Sequence, residues 1–406
     1  MAYNIVMYLY LIGVAVYSLF NEKVRKMWRG ERAAFDVLRE KVDPSARYVW
    51  VHAASLGEFE QGRPLMEQIR RERPDLKILL TFFSPSGYEV RKDYADADIV
   101  CYLPLDTVTN ARRFLNAVHP VAAYFIKYEF WYNYLHVLKR RGVPVYSVSS
   151  IFRPDQIFFK WYGRQYSRVL HCFAHFFVQN EQSRELLGGI GLTNVSITGD
   201  TRFDRVIHIC EQAKRLPVVE RFVGDAPKVF VAGSSWPPDE DIFIRYFREH
   251  PEWKLIIAPH VIDEAHLQQI EKQLEGRKVA RYSAAAEEAD VLIIDCFGLL
   301  SSIYRYGSVA YVGGGFGVSI HNTLEAAVWG VPVIFGPNNR KFQEAQALKA
   351  CGGGLEIGGY DDFARLMDHF AADDAARRQA GQAAGDYVTT KAGAAQQILS
   401  ATLPSI

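Results

Sequence analysis

From Arg47 onward the chain alternates short, continuous apolar runs with stretches whose apolar residues recur at helical spacing. YVWVHAAS, KILLTFF, DIVCYLPL, VAAYFIK, PVYSVSS and HFFVQNE read as buried strands, and PLMEQIRRERP as a helix stopping at Pro74. SLGE, after the first run, reads as a turn, and SPSGYEV as a turn entering a helix. Continuous rather than alternating apolar strands, separated by helices, imply a parallel sheet covered on both faces. A polar, proline-containing connection between about residues 212 and 228 interrupts the pattern, which restarts with VFVAGSS, WKLIIAPH, DVLIID, SVAYVGGG and PVIFG. Two α/β domains of similar size, joined near residue 215, are expected. Open sheets of this kind bind ligands at the carboxyl ends of their strands, and a cleft between two such domains is the default site.

The first twenty residues, MAYNIVMYLYLIGVAVYSLF, carry no charged side chain, whereas Lys23, Arg25, Lys26, Arg29 and Arg32 follow closely. A full span needs about 20 apolar residues. Cations after the run, rather than before it, place the rest of the chain in the cytoplasm and argue against a signal peptide. Tyr8, Tyr10 and Tyr17 suit an interface, so the segment reads as membrane-attached, either spanning or lying in the inner leaflet.

Composition adds mainly exclusions. Across 406 residues, Lys plus Arg is 47 and Asp plus Glu is 46, which argues against a nucleic-acid binder and makes the basic cluster at 23–32 a local signal. The five cysteines are scattered without C-x-x-C spacing, as expected of reduced thiols rather than a disulfide framework or zinc site. His171 and His175 have the spacing of two ligands on a helix, but VLHCFAHFFVQNE reads as a buried strand. Asp239-Glu240-Asp241 resembles a D-x-D metal motif only superficially, because it opens a helix where the dipole favours carboxylates. No metal is expected.

The block most informative about chemistry is SVAYVGGGFGVSIHNTLEAAVWGVPVIFGP. A strand runs into Gly313-Gly314-Gly315, and Asn322-Thr323-Leu324-Glu325 then opens an Ala-rich helix. Glycines let a backbone approach a bulky ligand, and a helix N-terminus favours an anion. Glu325 is placed to accept from a ribose. The block is neither a P-loop nor a first-turn dinucleotide fingerprint; it points to the nucleotide-sugar site of a GT-B glycosyltransferase. Ser234 and Ser235, at the first strand end of the second domain, suit phosphate or carboxylate, or equally a helix cap.

RGERAAF, HAASLGEFEQGRPL, TFFSPSGYE, KYEFWYN, QNEQSRELL, TGDTRFDR and GGGFGVSIHNTLEAA follow one another in this order. In that order and spacing the chain resembles the bacterial 3-deoxy-D-manno-octulosonic acid (Kdo) transferases, nearly end to end. The resemblance implies a GT-B fold with two Rossmann-like domains facing a central cleft. Residues 1–22 would form the membrane segment and 23–214 the acceptor domain. Residues 215–406 would form the CMP-Kdo domain, with last helices able to cross back. The implied reaction is inverting transfer of Kdo from CMP-Kdo to the glucosamine 6'-hydroxyl of a lipid A precursor. It would take place at the cytoplasmic face of the inner membrane, without cofactor or metal.

Matching motif to motif, the resemblance makes Glu31 the general base and Glu129 a second functional carboxylate. Arg202, where the family has lysine, would stabilise the transition state. Donor contacts would come from Pro259 and His260 (the family has arginine at the latter), from Phe297, Gly298 and Leu299, and from Gly314, Asn322, Thr323 and Glu325. Ser55, Gly57 and Glu58 would form the acceptor side, Ser55 and Glu58 facing the cleft or capping the following helix and Gly57 serving the turn. Two rivals remain: another GT-B transferase using a UDP-sugar and a lipid acceptor, and a non-catalytic sugar-nucleotide sensor. For Glu31, nearby cations lower the pKa and desolvation raises it; the sequence leaves that balance open.

Overall fold

In the computed structural model, residues 2–284 and 288–406 are described. The chain forms two compact units, Met1–Arg205 with Ala392–Ile406, and Val206–Lys391.

The first unit is built on a seven-stranded sheet, parallel throughout, in the order β3-β2-β1-β4-β5-β6-β7. Its strands are β1 (Arg47–Ala53), β2 (Leu76–Phe82), β3 (Ile99–Tyr102), β4 (Ala122–Ile126), β5 (Val145–Ser150), β6 (His175–Val178) and β7 (Val195–Ile197). The period-2 side-chain alternation of β1 supplies both cores. Trp50 enters one with Phe114, Phe125 and Tyr134, while Val49 and Val51 enter the other with Phe59, Leu80 and Tyr124. The helix Ala394–Thr402 completes the second core with Ile398 and Leu399, and Tyr124 donates to Thr402 Oγ1 at 2.7 Å.

Three helices of this unit matter below: α1 (Ala2–Tyr17), α2 (Glu22–Lys41) and α3 (Leu56–Glu72). Asn21 caps α2 by accepting from the Val24 N–H at 3.1 Å. Met27, Glu31, Ala34 and Leu38 recur every three or four residues and form its buried stripe. Gly30 lets this stripe come close: a Cβ there would lie 2.2 Å from the Tyr102 ring. SLGE is not a separate turn; α3 begins at Leu56 and continues past Pro64, which it holds in its interior. No described helix is long and apolar enough to cross a membrane. With 16 residues, α1 is about 24 Å long against a hydrocarbon core of about 30 Å.

The second unit repeats the plan, with parallel order β10-β11-β9-β8-β12-β13-β14. Its strands are β8 (Val229–Ser235), β9 (Lys254–Pro259), β10 (Val279–Arg281), β11 (Val291–Ile293), β12 (Val309–Val312), β13 (Val333–Phe335) and β14 (Gly354–Glu356). Phe230, Phe247, Trp253, Tyr311 and Phe363 anchor a core on one face. His171 and His175 do not share a helix: the first lies in the last turn of a 3-10 segment and is exposed, and the second opens β6 with Nε2 2.9 Å from Ser196 Oγ.

Candidate active site

The close approach at Gly30 turns the next residue inward. Glu31 is 4% exposed and lines a cavity of about 550 Å³ with Trp28, Arg32, Leu105, Asn110 and Arg113. Its Oε1 is buried without a hydrogen-bond partner. Burial pushes the carboxyl up to about 8, opposed by the Leu105 N–H. Arg29 and Arg32 are exposed, and the Arg32 guanidinium lies 5.5 Å from the Trp28 ring. Of the two opposing influences on Glu31, desolvation therefore wins.

At the carboxyl end of the sheet, Glu129 is held by a chain of aromatic and polar groups. Trp50 Nε1 and His52 Nδ1 each lie 2.8 Å from Thr81 Oγ1, and His52 Nε2 is 3.2 Å from Glu129 Oε2. Trp131 Nε1 donates to the same carboxylate oxygen at 2.6 Å. Trp131 Nε1 also lies 3.1 Å from His52 Nε2, so indole, imidazole and carboxylate meet at one point. His52 is fully buried. It was not singled out from the sequence, although it ends the first apolar run inside HAASLGE, where a polar side chain on a buried strand was the available signal. Glu129 does not line the Glu31 cavity, but Phe83 packs beside Met27 and Tyr102, and its ring lies tilted 5.1 Å from that of Trp131.

Ser55 precedes α3 and donates its hydroxyl to Glu58, whose Oε1 lies 3.9 Å from Lys127 Nζ. Gly57 sits in the first helical turn with no atom closer than 3.8 Å to an added Cβ, so it serves no tight turn. Lys127 and Ser149, near the ends of β4 and β5, adopt the left-handed region at φ 61° and 51°, a costly conformation that clusters at functional sites. Arg202 donates through Nε to Asp200 Oδ2 at 2.9 Å, and the buried Asp200 also accepts from Gln61 Nε2 at 2.8 Å.

In the second unit, Ser234, Pro259, His260, Phe297 and Gly298 converge on a cavity of about 170 Å³, with Leu300 beyond Leu299. Ser234 is again left-handed, at φ 52°. The His260 ring stacks with both Trp236, 4.7 Å away, and His321, 4.4 Å away. Trp236 Nε1 donates to His321 Nε2 at 3.1 Å, and burial, then the nearby His260, push the His321 pKa down to about 4. The neutral ring therefore carries its proton on Nδ1.

The triple glycine serves backbone packing. A Cβ at Gly313 would meet Ser234 O at 2.3 Å, one at Gly314 would meet Ser319 O at 2.4 Å, and one at Gly315 would meet Gly336 Cα at 2.6 Å. Asp239 holds this turn by accepting from the Gly314 and Trp236 N–H groups at 2.9 and 3.0 Å and from the Tyr311 hydroxyl at 2.7 Å. Glu240 accepts from Ser235 Oγ and meets His266 Nε2, each at 2.8 Å. The expected Ala-rich helix is only Leu324–Ala327, one turn long, so little dipole accumulates at its start. Asn322 nevertheless donates to Glu325 at 3.0 Å, Ser301 donates to the other carboxylate oxygen, and the buried Thr323 hydroxyl has no partner. Among the described residues, no three His, Cys, Asp or Glu side chains form a metal-binding group.

Residues 28–205 match the family model described as 3-Deoxy-D-manno-octulosonic-acid transferase (kdotransferase). A 3-deoxy-D-manno-octulosonic acid transferase of Aquifex aeolicus is 29% identical over 316 residues, covering 76% of this chain and 82% of the relative. One from Bordetella pertussis is 29% identical over 383 residues, covering 88% and 87%. Among solved structures, a UDP-GlcNAc 2-epimerase from Neisseria meningitidis superposes with TM-score 0.63 at 15% identity, covering 88% of this chain and all of that one. MurG of Acinetobacter baumannii gives TM-score 0.56 at 11% identity, covering 88% and 98%. Those two show the fold alone, an α/β pair of Rossmann-like domains of the GT-B kind.

Proposed function

The chain is a glycosyltransferase that resembles the Kdo transferases along most of its length, and from that premise we propose that it moves Kdo from CMP-Kdo to the glucosamine 6'-hydroxyl of a lipid A precursor. The observation that carries the reading is Glu31: a buried carboxylate with one oxygen unpartnered, lining a cavity next to Arg32 and Arg113. Such a group has an unused acceptor for a substrate hydroxyl and cations beside it for an anionic acceptor. As the acceptor oxygen bonds to the anomeric carbon of Kdo, its proton passes to Glu31. The bond from that carbon to the phosphate oxygen breaks, and CMP leaves with the electron pair. Attack opposite the leaving group inverts the anomeric centre.

Glu129, oriented by His52 and Trp131, is the second carboxylate of the reaction, and Arg202 and Lys127 supply positive charge. The CMP moiety takes the cavity at His260 and Phe297, with Asn322 and Glu325 on the ribose. The exposed apolar face of α1 (Ile5, Val6, Leu9, Ile12 and Val16), followed by the cations of α2, rests on the cytoplasmic face of the inner membrane.

The test incubates purified protein with CMP-Kdo and tetraacylated lipid A precursor and weighs the products by mass spectrometry. Gains of one or more Kdo units support the reading. Absence of product with a competent acceptor sinks it, and nucleotide release from UDP-hexoses instead of CMP-Kdo transfers the assignment to a UDP-sugar enzyme.

A further inference from the structure

Between β5 and β6 the chain folds into three 3-10 turns, Ile157–Phe159, Trp161–Gly163 and Tyr166–Cys172. The segment has a fixed shape. A Cβ at Gly163 would lie 1.7 Å from Ile157 O, so only glycine allows the fold-back. Phe158, 6% exposed, stacks on Tyr166 at 5.4 Å and 11°, and Tyr166 stacks in turn on Tyr3 of α1 at 6.3 Å. On this base stand Trp161, 89% exposed, Tyr162, 62% exposed, and Ile157, 45% exposed. A rim of three large apolar side chains on a well-packed base is the pattern of a surface that meets something.

Behind the rim lies a cavity of about 680 Å³ whose lining includes Lys160, Arg164, Arg168 and His171 and no carboxylate. Among the described residues none of these three permanent cations forms an ion pair, although the chain carries nearly as many acids as bases. Three unpaired cations in one concavity repel one another until an anion joins them. Two arginines favour a polydentate oxyanion such as phosphate, while exposed Trp and Tyr beside cations suit the boundary between headgroup and hydrocarbon.

We propose that this cavity binds the phosphate of an anionic amphiphile, with Lys160, Arg164 and Arg168 around the phosphate and Trp161, Tyr162 and Ile157 in the apolar layer. It is a site separate from the Glu31 cavity, and it rests on no part of the catalytic reading. The ligand class is a lipid phosphate presented at a bilayer surface; free phosphate is the competing source of the same chemistry.

The test uses the full chain, vesicles of phosphatidylcholine with and without phosphatidic acid, and calorimetry with inorganic phosphate. Because α1 can contribute to both vesicle types, the readout is the ratio of the two vesicle affinities. Arg164→Glu with Arg168→Glu is expected to reduce that ratio about tenfold or more at low salt. Trp161→Ala is expected to weaken vesicle binding while leaving the calorimetric response to phosphate unchanged. All three side chains are exposed, so thermal unfolding is expected to stay at the wild-type temperature. If the double variant loses phosphate binding but Trp161→Ala leaves vesicle binding unchanged, the amphiphile assignment falls and a free phosphate site replaces it. If neither variant changes either measurement, the proposal is overturned.

Discussion

Glu31 has an ordinary side chain in a place that withholds its usual solvation. Its carboxyl, raised to about 8 by burial, is mostly protonated at neutral pH, so the base form accumulates only as pH climbs towards that value. Initial rates of transfer are expected to rise about tenfold per unit below pH 8 and level off above it. Glu31→Gln is expected to lower kcat by about 10²- to 10⁴-fold while leaving CMP binding by the second unit unchanged. The same shift works on stability with a definite sign. Because the folded pKa exceeds the ordinary carboxylate value, this group's contribution is fully present below about pH 4.5 and is lost as pH rises through about 8. Thermal unfolding should therefore show Glu31→Gln becoming relatively more stable than wild type between pH 5 and 8; a constant difference would count against the raised carboxyl.

On the proposed reading His52 acts through Glu129, and His52→Ala should reduce kcat more than it changes the KM for donor, with destabilisation of about 1–3 kcal/mol from the polar partners lost at Thr81 and Glu129. At this scale the sequence offered Glu31 and Glu129 through the motifs that carry them. The direction of the Glu31 shift was beyond it, since that depends on which face of α2 is buried. His52 was hidden for a related reason: a histidine in an apolar strand has no visible partner until Thr81 and Trp131 are folded beside it.

Elements impose their own conditions on these residues. Gly30 lies inside α2, where alanine would add about 1 kcal/mol of intrinsic helix stability. The Tyr102 ring 2.2 Å from the added Cβ opposes this with an overpacking cost of about 1–3 kcal/mol, so Gly30→Ala should be destabilising overall. Because relief requires α2 to shift, activity should fall with it; thermal unfolding and turnover on the same preparation check both halves. In the second unit, Asp239→Ala leaves the Gly314 and Trp236 amides and the Tyr311 hydroxyl without their acceptor. A loss of about 3 kcal/mol or more is expected by chemical unfolding, together with weaker CMP binding by calorimetry.

The long buried strands were legible because their apolar runs are continuous. Of the three-residue strands, the fully buried interior pair β11 and β13 were legible and the edge strands β7, β10 and β14, which are less buried, were not. SLGE looked like a turn because Ser and Gly are turn residues, yet nothing in its space or dihedrals prevents α3 from starting there. The glycines of GGGFG were read as a ligand cradle, and their tightest demands come instead from the backbone at Ser234, Ser319 and Gly336.

For the whole molecule, the near balance of 47 basic and 46 acidic residues hides where charge and apolar surface are concentrated. Ile12 is 61% exposed on α1 and touches no core; Ile12→Glu should reduce co-sedimentation with anionic vesicles several-fold without lowering the unfolding temperature, which vesicle binding and calorimetry would show. Transfer to a water-soluble acceptor fragment should be spared. Two α/β units were legible in the sequence from the restart of the strand pattern after residue 228. That the last helices can cross back was expected from the family resemblance alone, because AAQQILSAT is by itself an ordinary amphipathic helix that names no partner.

That returning helix gives synthesis an unusual order. The first unit leaves the ribosome first, but its core beside Tyr124 stays open until Ile398, Leu399 and Thr402 arrive, the last of them 278 residues after Tyr124. The second unit, encoded between, has all its strands in hand earlier and needs nothing from the C-terminus. A nascent chain stalled before Ala394 would thus hold a finished second unit and a first unit with an apolar groove still exposed, and the last translated turns would act as the stopper that closes it.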